Sequence, residues 1–247
     1  MLLTEGMANR WAASDGSLEL PHPSTGTVNV TCGDAVEVAE VEDGIARLTA
    51  AQGLALMPSV GLFELDWGGI ATDVERVGSR YTSRADVVAY GRRNGDDFDN
   101  EARYPEIAFQ TAIQAAEETI ENGTRRSFCR RAATVHLTDG LNELPFEDAT
   151  STTSGTLLHG RQIRSDGEAE ATVTYGALFD QRIRDAATML AASYLRPRVG
   201  AENVRGQSMD GVYVSYTLAT GEEGGETGLP EVDAVIASHR SHRSVIM

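Results

Sequence analysis

The spacing of apolar residues changes once along this chain, and that change limits the folds open to it. Between residues 16 and 82 apolar side chains alternate with polar ones in Thr27-Val28-Asn29-Val30, Ala35-Val36-Glu37-Val38, Ile45-Ala46-Arg47-Leu48, Leu62-Phe63-Glu64-Leu65 and Val74-Glu75-Arg76-Val77. A period of two gives each strand one face for a core and one for water. Gly33-Asp34, Glu42-Asp43-Gly44, Pro58-Ser59 and Gly68-Gly69 punctuate the runs as turns. Short strands at this spacing suggest a small β-sandwich, immunoglobulin-like, with Trp67 in or near its core.

From Ser83 onward a helical period takes over. Ser83-Arg84-Ala85-Asp86 has the form of an N-cap followed by an acid in the first turn, opening a short helix that ends near Gly91. Residues 92–103 are polar and read as a linker. From Tyr104 to Asn122, Ile107, Phe109, Ile113, Ala116 and Ile120 form one apolar stripe, with Pro105 in the first turn, Gly123 as the stop and Glu117, Glu118 and Glu121 on the wet side. Residues 128–176 return to strands, clearest at Ala133–Leu137 and Ala171–Tyr175, with a polar loop or edge at Thr150–Ser154. A second helix runs from Asp180 to Tyr194, burying Ile183, Ala186, Ala187, Leu190, Ala191 and Tyr194. One strand follows at Val212–Leu218, then a Gly/Glu loop, and Pro230 opens a last helix with Val232, Val235 and Ile236 inward. The fold class is therefore α+β: an all-β module over residues 1–82, then a helical domain with a β insertion over 83–247.

Charge narrows the function. The chain carries 37 acidic residues against 21 basic ones, all arginine, for a net charge of -16. Gripping nucleic acid needs a basic surface, so that class is disfavoured, although negative walls would let DNA slide past. No stretch approaches a membrane span, and the opening MLLTEGMANRW lacks a signal peptide's apolar region. Cys32 and Cys129 stand in no metal-ligand spacing and read as reduced thiols. His239 and His242 share a helix face but lack further ligands, and His22, His136 and His159 read as structural. Asp97, Asp99 and Glu101 begin like a calcium loop without its glycine and closing glutamate. The loop Gly221–Gly228 carries three glutamates, which would repel phosphate. No catalytic motif occurs. The expectation is a protein that is not an enzyme and binds no cofactor and no metal.

Five strings then follow in a telling order: Gly123-Thr124-Arg125-Arg126-Ser127-Phe128, Val173-Thr174-Tyr175-Gly176, Arg182-Ile183-Arg184-Asp185-Ala186-Ala187-Thr188-Met189-Leu190-Ala191-Ala192, Met209-Asp210-Gly211-Val212-Tyr213-Val214-Ser215-Tyr216 and Thr227-Gly228-Leu229-Pro230-Glu231-Val232-Asp233-Ala234-Val235-Ile236-Ala237. Over about residues 83–240 this order resembles the head-to-tail adaptor (connector, or head-completion) proteins of tailed bacteriophages. Residues 1–82 depart from that pattern, since minimal adaptors lack such a module.

The resemblance implies a structural virion protein of the neck, located between capsid and tail and assembled in the host cytoplasm. Its partners would be itself, in a ring of about a dozen copies, the portal protein, and the next neck or tail protein (a stopper or tail terminator). DNA would pass through the lumen without specific binding, and no membrane is involved. By the same resemblance the C-terminal segment contacts the portal, which makes His239, Arg240, His242, Arg243, Val245 and Ile246 portal-contact candidates. Arg125, Arg126, Arg130 and Arg131 are candidates for contacts between subunits, where a planar guanidinium suits a neighbour's carboxylates. The alternative is a surface module that recognises carbohydrate or protein through its β domain.

Overall fold

A computed structural model describes residues 1, 3, 9–196, 206–209, 212–215 and 227–241. The α+β class is as expected. The first part holds β1 (Asn9–Trp11), a 3-10 turn at Ala13–Asp15, β2 (Leu18–Pro21), β3 (Gly26–Cys32), β4 (Ala35–Glu42), β5 (Ile45–Leu48), helix α1 (Ala50–Leu56), β6 (Gly61–Trp67) and β7 (Ala71–Arg76). All seven strands join one sheet in the order β1-β7-β6-β3-β4-β5-β2.

This corrects the expected immunoglobulin-like sandwich: there is one curled sheet, not two facing ones. Two-residue turns keep β3, β4 and β5 contiguous. At the second, Asp43 and Gly44 both take positive φ (52° and 76°), as a type I′ hairpin requires. A twisted sheet of this width bends until its inner face meets itself. Trp11, Leu18, Leu48, Leu65, Trp67 and Val74 fill the concave side, all fully buried. Alternation in sequence shows which face is buried. It does not show whether the facing layer is a second sheet or the same one bent round.

The N-terminal stretch touches both edges of that sheet. The Leu3 N–H donates to Glu19 O at 2.6 Å, and the Glu19 N–H donates to Met1 O at 2.7 Å, on the β2 edge. Asn9, Arg10 and Trp11 pair in parallel with Val74, Glu75 and Arg76 of β7, the other side. Helix α1, absent from the sequence reading, is started by a Thr49–Gln52 capping box. Its Gly53 lies against Trp11, where a Cβ would stand 3.0 Å from the indole. His22 is structural, as expected: its Nδ1 accepts from the Ser24 N–H, so Nε2 carries the proton it gives to Trp67 O at 2.8 Å.

The second part packs α2 (Arg84–Asn94), α3 (Glu106–Thr124), α4 (Gln181–Leu195) and α5 (Pro230–His239) around a core of Phe109, Ile120, Ile183, Leu190, Val232 and Ile236. Ser83 caps α2 with Asp86, but the helix continues past Gly91 to Asn94. Gly91 is there for packing, since a Cβ would meet Phe98 Cδ2 at 2.3 Å. The supposed linker thus delivers Phe98, 1% exposed, to the core. Likewise Gly123 does not stop α3. The helix runs one residue further and ends at Arg125 in the left-handed region, φ 57°.

Between α3 and α4 lies the β insertion: β8 (Arg131–Leu137), β9 (Gly140–Glu143), β10 (Ala149–Thr152), β11 (Thr156–Leu158), β12 (Gln162–Ser165) and β13 (Ala169–Tyr175). They form two three-stranded sheets, β10-β13-β8 and β11-β12-β9, so Thr150–Thr152 is an edge as anticipated. A hairpin of β14 (Gly206–Met209) and β15 (Val212–Ser215) precedes α5. Of the single strand expected at Val212–Leu218, residues 216–218 lie outside the described residues, as do 221–226 of the Gly/Glu loop.

Candidate functional site

The C-terminal end of α3 gathers residues from the two regions singled out in the sequence. Thr124 turns its hydroxyl back to Ile120 O at 2.7 Å as the helix ends. The chain then passes through Arg125, which is exposed, to Arg126, whose guanidinium donates to both oxygens of Asp148 at 2.8 Å. The end of α5 closes on the same corner. Arg240 Nε donates to Gly123 O at 2.9 Å, and the Ser241 N–H donates to Thr124 O at 2.9 Å. The His239 ring stands edge-on to Phe128, centroids 5.5 Å apart, and its Nε2 reaches Asp180 Oδ2 at 3.1 Å. His239 and Arg240 thus sit beside Arg125 and Arg126. Arg130 is exposed, and Arg131 turns inward to carboxylates of its own chain. His242, Arg243, Val245 and Ile246 lie outside the described residues.

Behind this corner, an ionic cluster joins the curled sheet to the helices. Arg10 of β1 donates to Glu117 Oε2 and Glu121 Oε2, each at 3.0 Å, and to Glu75 Oε2 at 3.3 Å. Arg80 Nε donates to Glu117 Oε1 at 2.9 Å, and its Nη1 donates to Arg10 O at 2.9 Å. The Tyr81 N–H adds a third partner for Glu117 at 2.8 Å, while the Tyr81 hydroxyl donates to Glu121 Oε1 at 2.7 Å. Arg131 bonds both Glu75 and Glu121, the latter at 2.9 Å. Arg10, Arg80 and Arg131 meet Glu75, Glu117 and Glu121, and Arg80 also reaches Asp15 at 3.4 Å.

Sequence reading placed Glu117 and Glu121 in water, and this is corrected: Glu117 is fully buried and the Glu121 side chain is only 11% exposed. The signal was present. Glu117 follows Ile113 by four residues and precedes Ile120 by three, so it lies on the apolar stripe itself. Arg10 and Arg80, more than thirty residues from Glu117 in sequence (separations of 107 and 37), gave no local sign of pairing with it.

Burial sets the electrostatics. It draws the Arg10 guanidinium down, but Glu121, Glu117 and Glu75 outweigh it and hold the group above its ordinary value. It pushes the Cys129 thiol up to about 11, so this sulfur is a protonated core atom at neutral pH. Burial also raises the Asp15 carboxyl, against the pull of Arg80 at 3.4 Å. Among the described residues no three His, Cys, Asp or Glu gather as a ligand set for a metal. No helix among them is long and apolar enough to cross a membrane.

Asp180 links the corner to α4. Its Oδ1 accepts from the Ile183 N–H at 3.0 Å as the N-cap, and the carboxyl is held below its usual 3.8 by that N–H and, against some desolvation, by His239. A depressed folded value means the contribution is complete above that usual pH and fades as pH falls through the folded one. Asp180→Ala is expected to cost about 1 kcal/mol at pH 7. The gap in melting temperature between the two proteins should narrow below the usual 3.8. A gap that does not change with pH would contradict this role.

No family profile matches the chain, and no curated protein matches it. Among solved structures, it is similar to a chain from the "Neck of native GTA particle computed with C12 symmetry", at 17% identity and a TM-score of 0.38, covering 68% of this chain and 97% of that one. A TM-score of that size establishes neither fold nor role.

Proposed function

We propose that this protein is a non-enzymatic structural subunit of a phage-type neck, assembling as a ring that docks on a portal and joins capsid to tail around the passing DNA. One observation carries the reading. The helix, β insertion, helix and final helix that resemble adaptor proteins in order pack as α3, the insertion, α4 and α5, and α3, α4 and α5 share one core. Arg240 and Ser241 are fastened to the end of α3, so the tail proposed to meet the portal begins beside Arg125 and Arg126. The ionic cluster suits a part that bears load, because it braces the sheet against the helices with directional bonds.

The alternative of carbohydrate recognition on the β module is less well supported. The large hydrophobic side chains exposed on its sheet are Val36, Val38 and Leu62, aliphatic groups that offer no ring for a sugar to stack on.

Size-exclusion chromatography with light scattering, with and without purified portal, tests the proposal. Rings should form alone or on portal, and removing residues 242–247 should abolish portal attachment with an unchanged melting curve, since His239, Arg240 and Ser241 keep their anchors. A chain that stays monomeric at every concentration with portal present would end this reading.

A further inference from the structure

Leu178 is 94% exposed, far above every other large hydrophobic side chain among the described residues. Looseness does not account for it. The Gly176 N–H donates to Asp148 O at 3.1 Å and the Ala177 N–H to Ser127 O at 2.7 Å, while Phe179 packs on Tyr81 with centroids 5.8 Å apart. Gly176 itself has no room to move, because a Cβ there would stand 2.4 Å from Cys129 O. Asp180 then caps α4. A short segment pinned on both sides therefore holds an apolar knob in water at a fixed place.

At the far end of α4 is a matching socket. Tyr104, Ile107, Ala108, Ala112, Ala115 and Tyr194 line an open, mainly apolar groove of about 510 Å³ between α3 and α4. Its rim carries Arg103, which is exposed and makes no ion pair among the described residues, whereas the knob stands two residues from the exposed carboxylate of Asp180. An apolar knob beside Asp180, a carboxylate that also accepts from the Ile183 N–H and meets His239, thus corresponds to an apolar groove rimmed by a guanidinium. The 15 residues of α4 separate them by about 22 Å, so one subunit's knob cannot reach its own groove. Unlike patches at opposite ends of one helix can join copies head to tail, and a rotation that closes gives a ring.

We propose that Leu178 of one subunit seats in the α3–α4 groove of the next. This rests on the ring reading above and names the contact that would build it.

Two variants test the contact. Leu178→Asp spoils the knob and Ala115→Trp fills the socket; Thr111→Arg, exposed and also lining the groove, serves as a second socket variant. Each should melt like the parent protein yet weaken assembly by about tenfold or more, as loss of a central anchor does. Knob and socket variants mixed together keep one good knob and one good socket between them, so they should give a species of twice the monomer mass and nothing larger. Rings that persist unchanged in the variants, or a mixture that stays monomeric, would overturn this contact and leave the ring reading standing. A parent protein that never assembles would overturn the ring reading and the contact with it.

Discussion

Glu117→Ala should lower stability by about 3–5 kcal/mol, because it leaves two buried guanidinium groups, Arg10 and Arg80, without their shared carboxylate. Against a total stability of about 5–15 kcal/mol, that is a large fraction. For a chain of this size it corresponds to a drop in melting temperature of about 6–20 °C. The Arg80 Nη2 atom is already buried with no hydrogen-bond partner among the described residues, so the cluster has no spare acceptor to offer. Replacing Arg10, Arg80 and Glu117 together with apolar residues of similar volume should recover much of the loss, since the desolvation of all three charges is removed as well. Thermal melts of the single and triple variants check both statements. A single variant within about 2 °C of the parent would mean that water compensates the arginines.

The second large effect is expected at Leu190. This side chain is fully buried in the helical core with Ile183, Ala187 and Ile120. Truncation to alanine should cost about 2–5 kcal/mol through lost contact and a residual cavity. Leu190→Asp adds an unpaired charge with no cation arranged to meet it, and the helical part should lose its cooperative melt. Comparing the two variants by circular dichroism and denaturant titration separates the cavity from the charge. A wild-type-like transition in Leu190→Asp would place the residue outside the core.

The sequence was a good guide wherever one element's own periodicity decides the outcome. Asp180 caps α4, and Ile183, Ala186, Ala187, Leu190 and Ala191 are buried along it, as their spacing demands, whereas Tyr194, expected on the same face, is 40% exposed near the helix end. Pro230 opens α5 with Val232 and Ile236 inward. Capping chemistry was legible too, and Thr49 with Gln52 would have revealed α1 had the strand pattern around it not dominated. Other features depend on partners far away in the chain. Phe98 sits in a polar stretch and enters the core because Gly91 leaves a place for its ring. Glu117 is buried because Arg10 and Arg80 come to it from another part of the chain, and no window of a few residues contains that information. The candidate contact residues divide the same way: His239, Arg240, Arg125 and Arg126 do converge, whereas Leu178 is an unremarkable letter in sequence and stands out only in three dimensions.

The double attachment of the N-terminus to both edges of the curled sheet has a consequence in time. Residues 9–11 leave the ribosome well before their neighbours, residues 74–76, and of the three carboxylates that meet Arg10, Glu117 and Glu121 follow later than Glu75. At about 5–20 residues per second, translation keeps that segment waiting roughly 5–20 s for its last partners, with its cation incompletely paired. A nascent polypeptide in that condition has no finished surface to offer a neighbour. If the proposed neck role holds, subunits would enter a particle only after synthesis has passed α3, which would protect a growing assembly from half-made members.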